Sequence, residues 1–304
     1  KYSRLGGPLS GVRPSTTALS CFAQDERPST TPPCPPKPWR RREGRASCKV
    51  KDRLIGGDHY NSAMPPRFYV PDLAGPNEPV ELPDEEARHL TRVLRLGAGD
   101  TVSVFDGRGV EYLARVEQAP PGRVVVRPYQ SVAPPPEPVV ALTVAQALLK
   151  GRTFDDVVRD VTMVGAVAIQ PLLTARTEAR ARDTGRWIRI AVASAKQCRR
   201  AVVPAVRAPG PFRSLLDDDR SDLRLLLVEP GTAGAAGALR LLQDRSPPAT
   251  ATLAVGPEGG WSADEVAAAT AAGFMPVTLG RRTLRADAVV VCAVSVLQYV
   301  WGDL

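Results

Sequence analysis

Gly256-Pro-Glu-Gly-Gly260, followed downstream by Leu279-Gly-Arg-Arg-Thr-Leu-Arg285, is the pair of segments that decides how this chain reads. Each half is a glycine-containing loop at the end of an apolar strand run, Thr252–Val255 before the first and Pro276–Leu279 before the second. Loops at the carboxyl ends of strands in one open α/β sheet wall a ligand crevice, and glycines let backbone approach a ligand closely. The first loop is not a P-loop, because no Gly-Lys-Ser/Thr follows it, and it lacks the Gly-x-Gly-x-x-Gly spacing of a dinucleotide fingerprint. Glu258 sits inside it. Three roles fit such an acid: a ligand-facing carboxylate, an acceptor that organises the loop, or a helix N-terminal acid satisfying backbone N–H groups.

Around these loops strands and helices alternate. Val139–Val144, Ala166–Leu173, Leu223–Val228, Thr252–Val255 and Val277–Leu279 read as strands. Phe154–Val164, Thr184–Arg199, Ala235–Gln243, Ser262–Ala272 and Ala286–Val300 read as helices. The alternation predicts a mostly parallel sheet covered on both faces. Ser262-Ala-Asp-Glu265 fits a capping box and Gly273 a C-terminal cap. The apolar run Ala288–Val300 is too short to span a bilayer and reads as a buried helix or a subunit contact.

Upstream, Arg67–Val70, Thr101–Phe105, Val110–Val116 and Arg123–Pro128 read as short strands, with turns at Asp106–Gly109 and Pro120–Gly122. A helix is expected from Pro83 to about Leu96, its acids at the positive end and Leu90, Val93, Leu94 and Leu96 on one face. Short strands with tight turns predict a small β-barrel. Ala133-Pro-Pro-Pro-Glu-Pro138 is a stiff linker and domain boundary. Residues 1–63 are rich in Pro, Arg, Ser and Thr with no periodicity, so a disordered extension is expected there. Met64, the first methionine, is the expected working start of the ordered chain, residues 1–63 being upstream sequence or a dispensable tail.

The 304-residue chain is 43% hydrophobic, which suits a globular protein with a real core. Its net charge of +8 is concentrated at the start: residues 1–63 hold 12 basic and 5 acidic side chains, and the rest is nearly balanced. A nucleic-acid footprint on the folded part must therefore be a local patch. The five cysteines (Cys21, Cys34, Cys48, Cys198, Cys292) form no CxxC pair, and with only His59 and His89 no zinc-ligand spacing exists. No metal, no membrane segment and a reducing cytoplasm are expected.

The strand ending in Val255-Gly-Pro-Glu-Gly-Gly-Trp261, then Leu279-Gly280 and Leu284-Arg285 opening a long apolar helix, resembles the RsmE family of SPOUT-superfamily methyltransferases, which act on 16S ribosomal RNA. Further matches lie at Met64–Val70, Glu86-Ala-Arg-His-Leu90, Val93-Leu-Arg-Leu96, Gly99-Asp100, Phe105-Asp-Gly107, Lys150-Gly151, Lys196-Gln-Cys-Arg-Arg200 and Trp301–Leu304. The resemblance covers roughly residues 64–304. It implies a PUA-like β-barrel RNA-binding domain over 64–133 and a SPOUT α/β trefoil-knot methyltransferase domain over 139–304. It also implies a homodimer, S-adenosylmethionine as methyl donor, and N3 of a uridine in the 16S RNA of the small ribosomal subunit as acceptor. A ribose 2′-O-methyltransferase of the same fold and a catalytically inert rRNA-binding protein are the competing readings.

By position, the resemblance implies that the cofactor lies among Val228 and Glu229, the loop residues Gly256, Pro257, Glu258, Gly259 and Gly260, and Leu279, Gly280 and Leu284, held largely by backbone. Methyl transfer from a sulfonium needs alignment above all. Uridine N3 must also lose its proton, so a cation that stabilises the uracil anion assists. Arg285 is the first candidate, with Arg200 second, and an ion pair of Arg285 with Asp287 or Glu258 is the competing role. No residue stands out as a general base. Where many family members carry a Thr-Glu-Thr-like stretch this chain has Ala286-Asp287-Ala288, which removes hydroxyls and shortens the acid. His89, Arg92 and Arg95 are candidate phosphate contacts, Arg92 and Arg95 sharing a helix face at a spacing of three, with Arg176 extending the patch. Trp261 is expected to pack against the core rather than stack on a base.

Overall fold

The computed structural model describes residues 64–120, 122–178, 183–232, 234–237, 242 and 245–304; the expected extension over 1–63 lies outside them. Strand β1 (Arg67–Tyr69), β2 (Val80–Glu81), β3 (Thr101–Phe105), β4 (Glu111–Gln118) and β5 (Val125–Ser131) form a five-stranded sheet in the order β1-β3-β4-β5-β2. The β1–β3 pair is parallel and the other pairs are antiparallel. Phe68, Leu82, Val102, Val104, Val116 and Val126 fill its core together with Ala87 and Leu90 of the helical segment between β2 and β3. That segment departs from expectation. Helix α1 (Asp84–Arg88) passes after five residues into a π-helical turn, His89–Val93, closed by Leu94 N–H donating to the His89 carbonyl. Arg95 then turns left-handed at φ 56°. The helix thus stops short of Leu96, and Arg92 and Arg95 do not share a helical face.

The second sheet is parallel throughout. Strands β6 (Ala141–Ala147), β7 (Ala168–Leu173), β8 (Ala205–Val206), β9 (Gly210–Pro211), β10 (Leu223–Leu227), β11 (Ala236–Gly237), β12 (Thr250–Val255) and β13 (Met275–Thr278) run in the order β11-β13-β10-β12-β6-β7-β8, with β9 also on β7. Helices α2 (Thr153–Met163), α3 (Thr184–Cys198), α4 (Phe212–Asp218), α5 (Ala263–Ala271) and α6 (Ala286–Trp301) cover it. The central strands alternate between two cores. Leu142, Val144, Leu253 and Val255 pack with Val157, Trp187, Val290 and Leu297 of α2, α3 and α6. Ala145, Ala147, Leu226 and Ala254 pack with Phe212, Leu215 and Ala269 of α4 and α5. Burial on both faces is why these strands are nearly unbroken apolar runs. Among the described residues no helix is long and apolar enough to cross a membrane.

Local chemistry sets the ends of α5 as expected: Ser262 and Glu265 form a reciprocal capping box. At its other end Gly273 N–H donates to the Thr270 carbonyl and Phe274 N–H to the Ala269 carbonyl, a Schellman closure. The helix expected over Ala235–Gln243 is corrected at its start. Ala236 and Gly237 instead pair in parallel with Val277 and Thr278 at the sheet edge, and most of the remainder lies outside the described residues. The alanine-rich composition favours helix, but pairing to an open strand edge overrides so weak a preference. Helix α4 was not expected, although Phe212, Leu215 and Leu216 have the spacing of one buried helical face.

The two sheets are joined by buried polar contacts. Arg67 of β1 makes a two-pronged ion pair with Glu111 of β4, at 2.8 and 3.0 Å. The same guanidinium donates to the carbonyls of Ala195, Lys196 and Arg200, at and just beyond the C-terminal end of α3. Lys196 reaches back to Glu86 of α1 at 2.6 Å. Gly109 N–H donates to the Ala201 carbonyl and Val203 N–H to the Gly107 carbonyl. The linker is anchored as well: Glu137 pairs with Arg200, whose guanidinium also donates to the carbonyls of Thr162 in the last turn of α2 and of Ala166 just after it. Truncating one partner of a buried pair strands the other charge. Arg67→Ala is therefore expected to destabilise the fold by about 3–5 kcal/mol, read from the shift of the chemical denaturation curve. An Arg67→Met, Glu111→Leu double variant is expected to regain only the part owed to the stranded carboxylate, because the carbonyls of Ala195, Lys196 and Arg200 still lose their donor.

Candidate functional site

Because β10, β12 and β13 are adjacent and parallel, their carboxyl ends open on one edge of the sheet. The segments leaving them are Val228–Glu229, Gly256–Gly260 and Leu279–Arg285. They enclose a cavity of about 470 Å³, within the range of small-molecule sites. Leu227, Val228, Val255, Trp261, Leu279 and Leu284 give it apolar walls; Glu229, Glu258, Arg176, Arg282 and Arg285 bring charge to it. Of the ten positions assigned to the cofactor, Val228, Glu229, Gly256, Pro257, Glu258, Gly260, Leu279 and Leu284 line this cavity, whereas Gly259 and Gly280 do not.

Three hydrogen bonds hold the glycine loop, and a fourth ties the helix after it to the β7 loop. Glu258 accepts the Lys150 backbone N–H at 2.9 Å, so it acts as a loop organiser. Arg176, expected to extend the RNA patch, instead donates to the Gly259 carbonyl at 2.8 Å and forms part of the cavity wall. Glu265, besides closing the capping box, accepts the Ala175 N–H. Gln146, fully buried at the end of β6, donates to the Gly256 carbonyl at 3.1 Å. Its signal in the sequence is one amide in the run Leu142-Thr-Val-Ala-Gln-Ala147, where the only other polar side chain is Thr143. Trp261 packs inward as expected. Its ring lies 4.5 Å from that of Phe212, and its Nε1–H donates to the Leu227 carbonyl. It also forms a cavity wall, so close to Gly256 that a Cβ there would stand 3.2 Å from the indole. Gly260 has φ +67°, and a Cβ on it would meet a Glu229 carboxylate oxygen at 2.9 Å.

Arg285 is the N-cap residue of α6 and stands at the cavity with its side chain 79% exposed. Its Nε–H donates to Asp287 at 3.1 Å, the ion pair foreseen as its competing role. Arg282 and Thr283 line the same cavity and were not singled out in the sequence. Arg200 is placed elsewhere: it is buried, paired with Glu137, and absent from the cavity wall. Lys150 pairs with Glu178 at 2.5 Å, and that carboxylate, by hydrogen bond and by charge, raises the ammonium above its ordinary value. Lys150 is thus a standing cation rather than a proton acceptor.

His89 and Arg92 border a separate hollow with Glu85, Arg88, Val93 and Arg189 of α3; Arg95 is not part of it. Arg180 and Arg182, which would extend the basic patch, lie outside the described residues.

Comparison with known proteins places this arrangement. Residues 135–298 match the family described as RNA methyltransferase domain, and residues 82–129 match the RNA methyltransferase PUA domain. The chain is 37% identical over 211 residues to the ribosomal RNA small subunit methyltransferase E of Synechocystis, covering 68% of each chain. It is 33% identical over 256 residues to the protein of that name from Mycobacterium bovis, covering 77% of this chain and 92% of the relative. A crystal structure of the Neisseria gonorrhoeae ribosomal RNA small subunit methyltransferase E bound to S-adenosyl methionine superposes with a TM-score of 0.72 at 32% identity, covering 79% of this chain and 99% of that one. Two sheets in this order, a cavity at the joined strand ends and these matches lead to one assignment: the chain belongs to the RsmE family of RNA methyltransferases, a PUA-type domain followed by a SPOUT-type α/β domain.

Proposed function

We propose that this protein transfers a methyl group from S-adenosylmethionine to N3 of a uridine in the 16S RNA of the small ribosomal subunit. It would do so as a cytoplasmic homodimer whose PUA-like domain spans 64–133 and whose knotted methyltransferase domain spans 139–304. The observation that carries the reading is the cavity walled by Val228–Glu229, Gly256–Gly260 and Leu279–Arg285 at three adjoining strand ends. Its residues fit the cofactor. Apolar walls suit an adenine, the glycine backbone gives close approach where side chains have no room, and Glu229 offers a carboxylate to hydroxyl or ammonium groups. S-adenosylmethionine, when bound, supplies an electrophilic methyl group on a sulfonium.

The chain's own part is alignment and charge. Backbone of the Gly256 and Leu279 loops orients the donor. Arg285 keeps N–H groups beyond its bond to Asp287 with which to hold the uracil carbonyl oxygens as N3 gives its proton to solvent water. The N-terminus of α6, which Arg285 caps, adds the positive end of a helix dipole at the same place. Arg200, engaged with Glu137, acts by holding the linker. His89, Arg92 and Arg95 are the phosphate contacts of the N-terminal domain. The homodimer is supported by an exposed stripe on α6, Ala288, Cys292 and Tyr299, the last 71% exposed.

Three measurements bear on this. Mass mapping of 16S RNA from a strain lacking the gene is expected to show one uridine short of a base methyl group, restored on complementation; a missing ribose methyl group, or an unchanged map, would count against the reading. Arg285→Ala is expected to bind S-adenosylmethionine normally in calorimetry and to slow methyl transfer about 100- to 1000-fold, the usual loss of one anion-stabilising donor. Gly260→Ala, forced into a left-handed backbone and against Glu229, is expected to weaken cofactor binding about tenfold or more.

A further inference from the structure

The hollow beside α1 draws on both halves of the protein. Arg88, His89, Arg92 and Val93 come from α1 and the π-helical turn, whereas Arg189 comes from α3 of the methyltransferase domain. Its volume is about 590 Å³. Three guanidiniums face one carboxylate, Glu85, in a folded chain whose overall charge is nearly balanced. Arg92 and Arg189 are exposed and carry no ion pair among the described residues, and Arg88 is held only by a bond to the Asp84 carbonyl. Guanidiniums that line one hollow without carboxylate partners suit phosphate oxygens, which accept in the forked geometry arginine offers.

The walls are set rigidly. The His89 ring meets Phe68 edge-on at 6.2 Å, the Lys196 ammonium lies 5.4 Å from the Phe68 ring, and that ammonium is locked to Glu86. α3 and the π-helical turn are therefore fixed across the domain boundary before any ligand arrives. Val93, 65% exposed on the rim, adds an apolar contact for a sugar or base.

We infer that this hollow is a composite RNA-backbone site in which Arg189 of the methyltransferase domain and Arg88 and Arg92 of the PUA-type domain grip consecutive phosphates, with Glu85 setting a ceiling on the affinity. The inference rests on the proposed rRNA substrate but concerns a surface apart from the methyl-transfer cavity. A phosphate clamp shared by two domains fixes the RNA relative to the cavity, which a contact from one domain alone does not do.

Binding of a fluorescent unmethylated 16S RNA transcript tests it, measured across a salt titration and alongside methyl transfer to small ribosomal subunits. Arg189→Ala and Arg92→Ala are each expected to weaken RNA binding about three- to tenfold and to flatten the log–log salt slope by about 0.7–0.9, the share of one phosphate contact. S-adenosylmethionine affinity stays the same. Glu85→Gln is expected to strengthen RNA binding about twofold, an opposite sign that loss of structure does not produce. Unchanged affinity and slope in Arg189→Ala overturn the composite site even if Arg92→Ala weakens binding, and so does unchanged or weaker binding in Glu85→Gln. Wild-type protein that shows the charge effects yet transfers no methyl group leaves the site standing and removes the proposed function.

Discussion

One guanidinium holds this protein together as a unit. Arg67 satisfies Glu111 within the small sheet and, with the same fork, three carbonyls at the end of α3. Those carbonyls end a helix and would otherwise lack partners, and the positive charge also meets the negative end of the helix dipole. Removing Glu111 would leave the arginine without its counter-charge, and removing the arginine would leave the Glu111 carboxylate with the Ser103 hydroxyl in place of a cation and take a donor from all three carbonyls. The Lys196–Glu86 pair and the main-chain bonds around Val202 follow from that alignment. Several half-buried hydrogen bonds and ion pairs thus tie the two domains together.

The cavity at the strand ends shows the same economy. Its glycine loop carries almost no side chain of its own and takes its shape from neighbours: Lys150 after β6, Arg176 and Ala175 after β7, Gln146 below. Side chains of one loop bond the backbone of the next, so the walls form a connected ring. A shift in the β7 loop would be felt at Gly259 through Arg176 without any contact to a ligand.

Much of this was legible in the sequence, for identifiable reasons. Apolar runs such as Thr252–Val255 are buried on both faces, so they announce a parallel sheet, and glycine loops at their carboxyl ends announce the crevice. Ser262 and Gly273 mark the ends of α5 because capping is local chemistry. What escaped is what depends on distant partners. Arg200 reads in the sequence as the second candidate for stabilising the uracil anion, but its counter-charge, Glu137, lies 63 positions away in the chain. Arg176 read as a surface cation until Gly259, 83 positions on, supplied a carbonyl. The π-helical turn at His89–Val93 differs from an α-turn by one hydrogen-bond step, which apolar periodicity over so few residues does not resolve. Ala236–Gly237 has a helical composition and a strand position, because the open edge of β13 decided it.

The placement of β6 has a consequence for how the chain comes into being. β6 is the first strand of the large sheet to be made, yet one of its two neighbours is β12, roughly a hundred residues later, a long-range pairing of the kind that slows folding. During synthesis β6 can pair with β7 as soon as that strand emerges, but its other edge stays open until the chain is almost finished. An uncovered apolar strand edge is the usual starting point of misassembly. The N-terminal domain, whose strands pair within a short span of chain, can be complete by then, and its Arg67 already set to receive the end of α3.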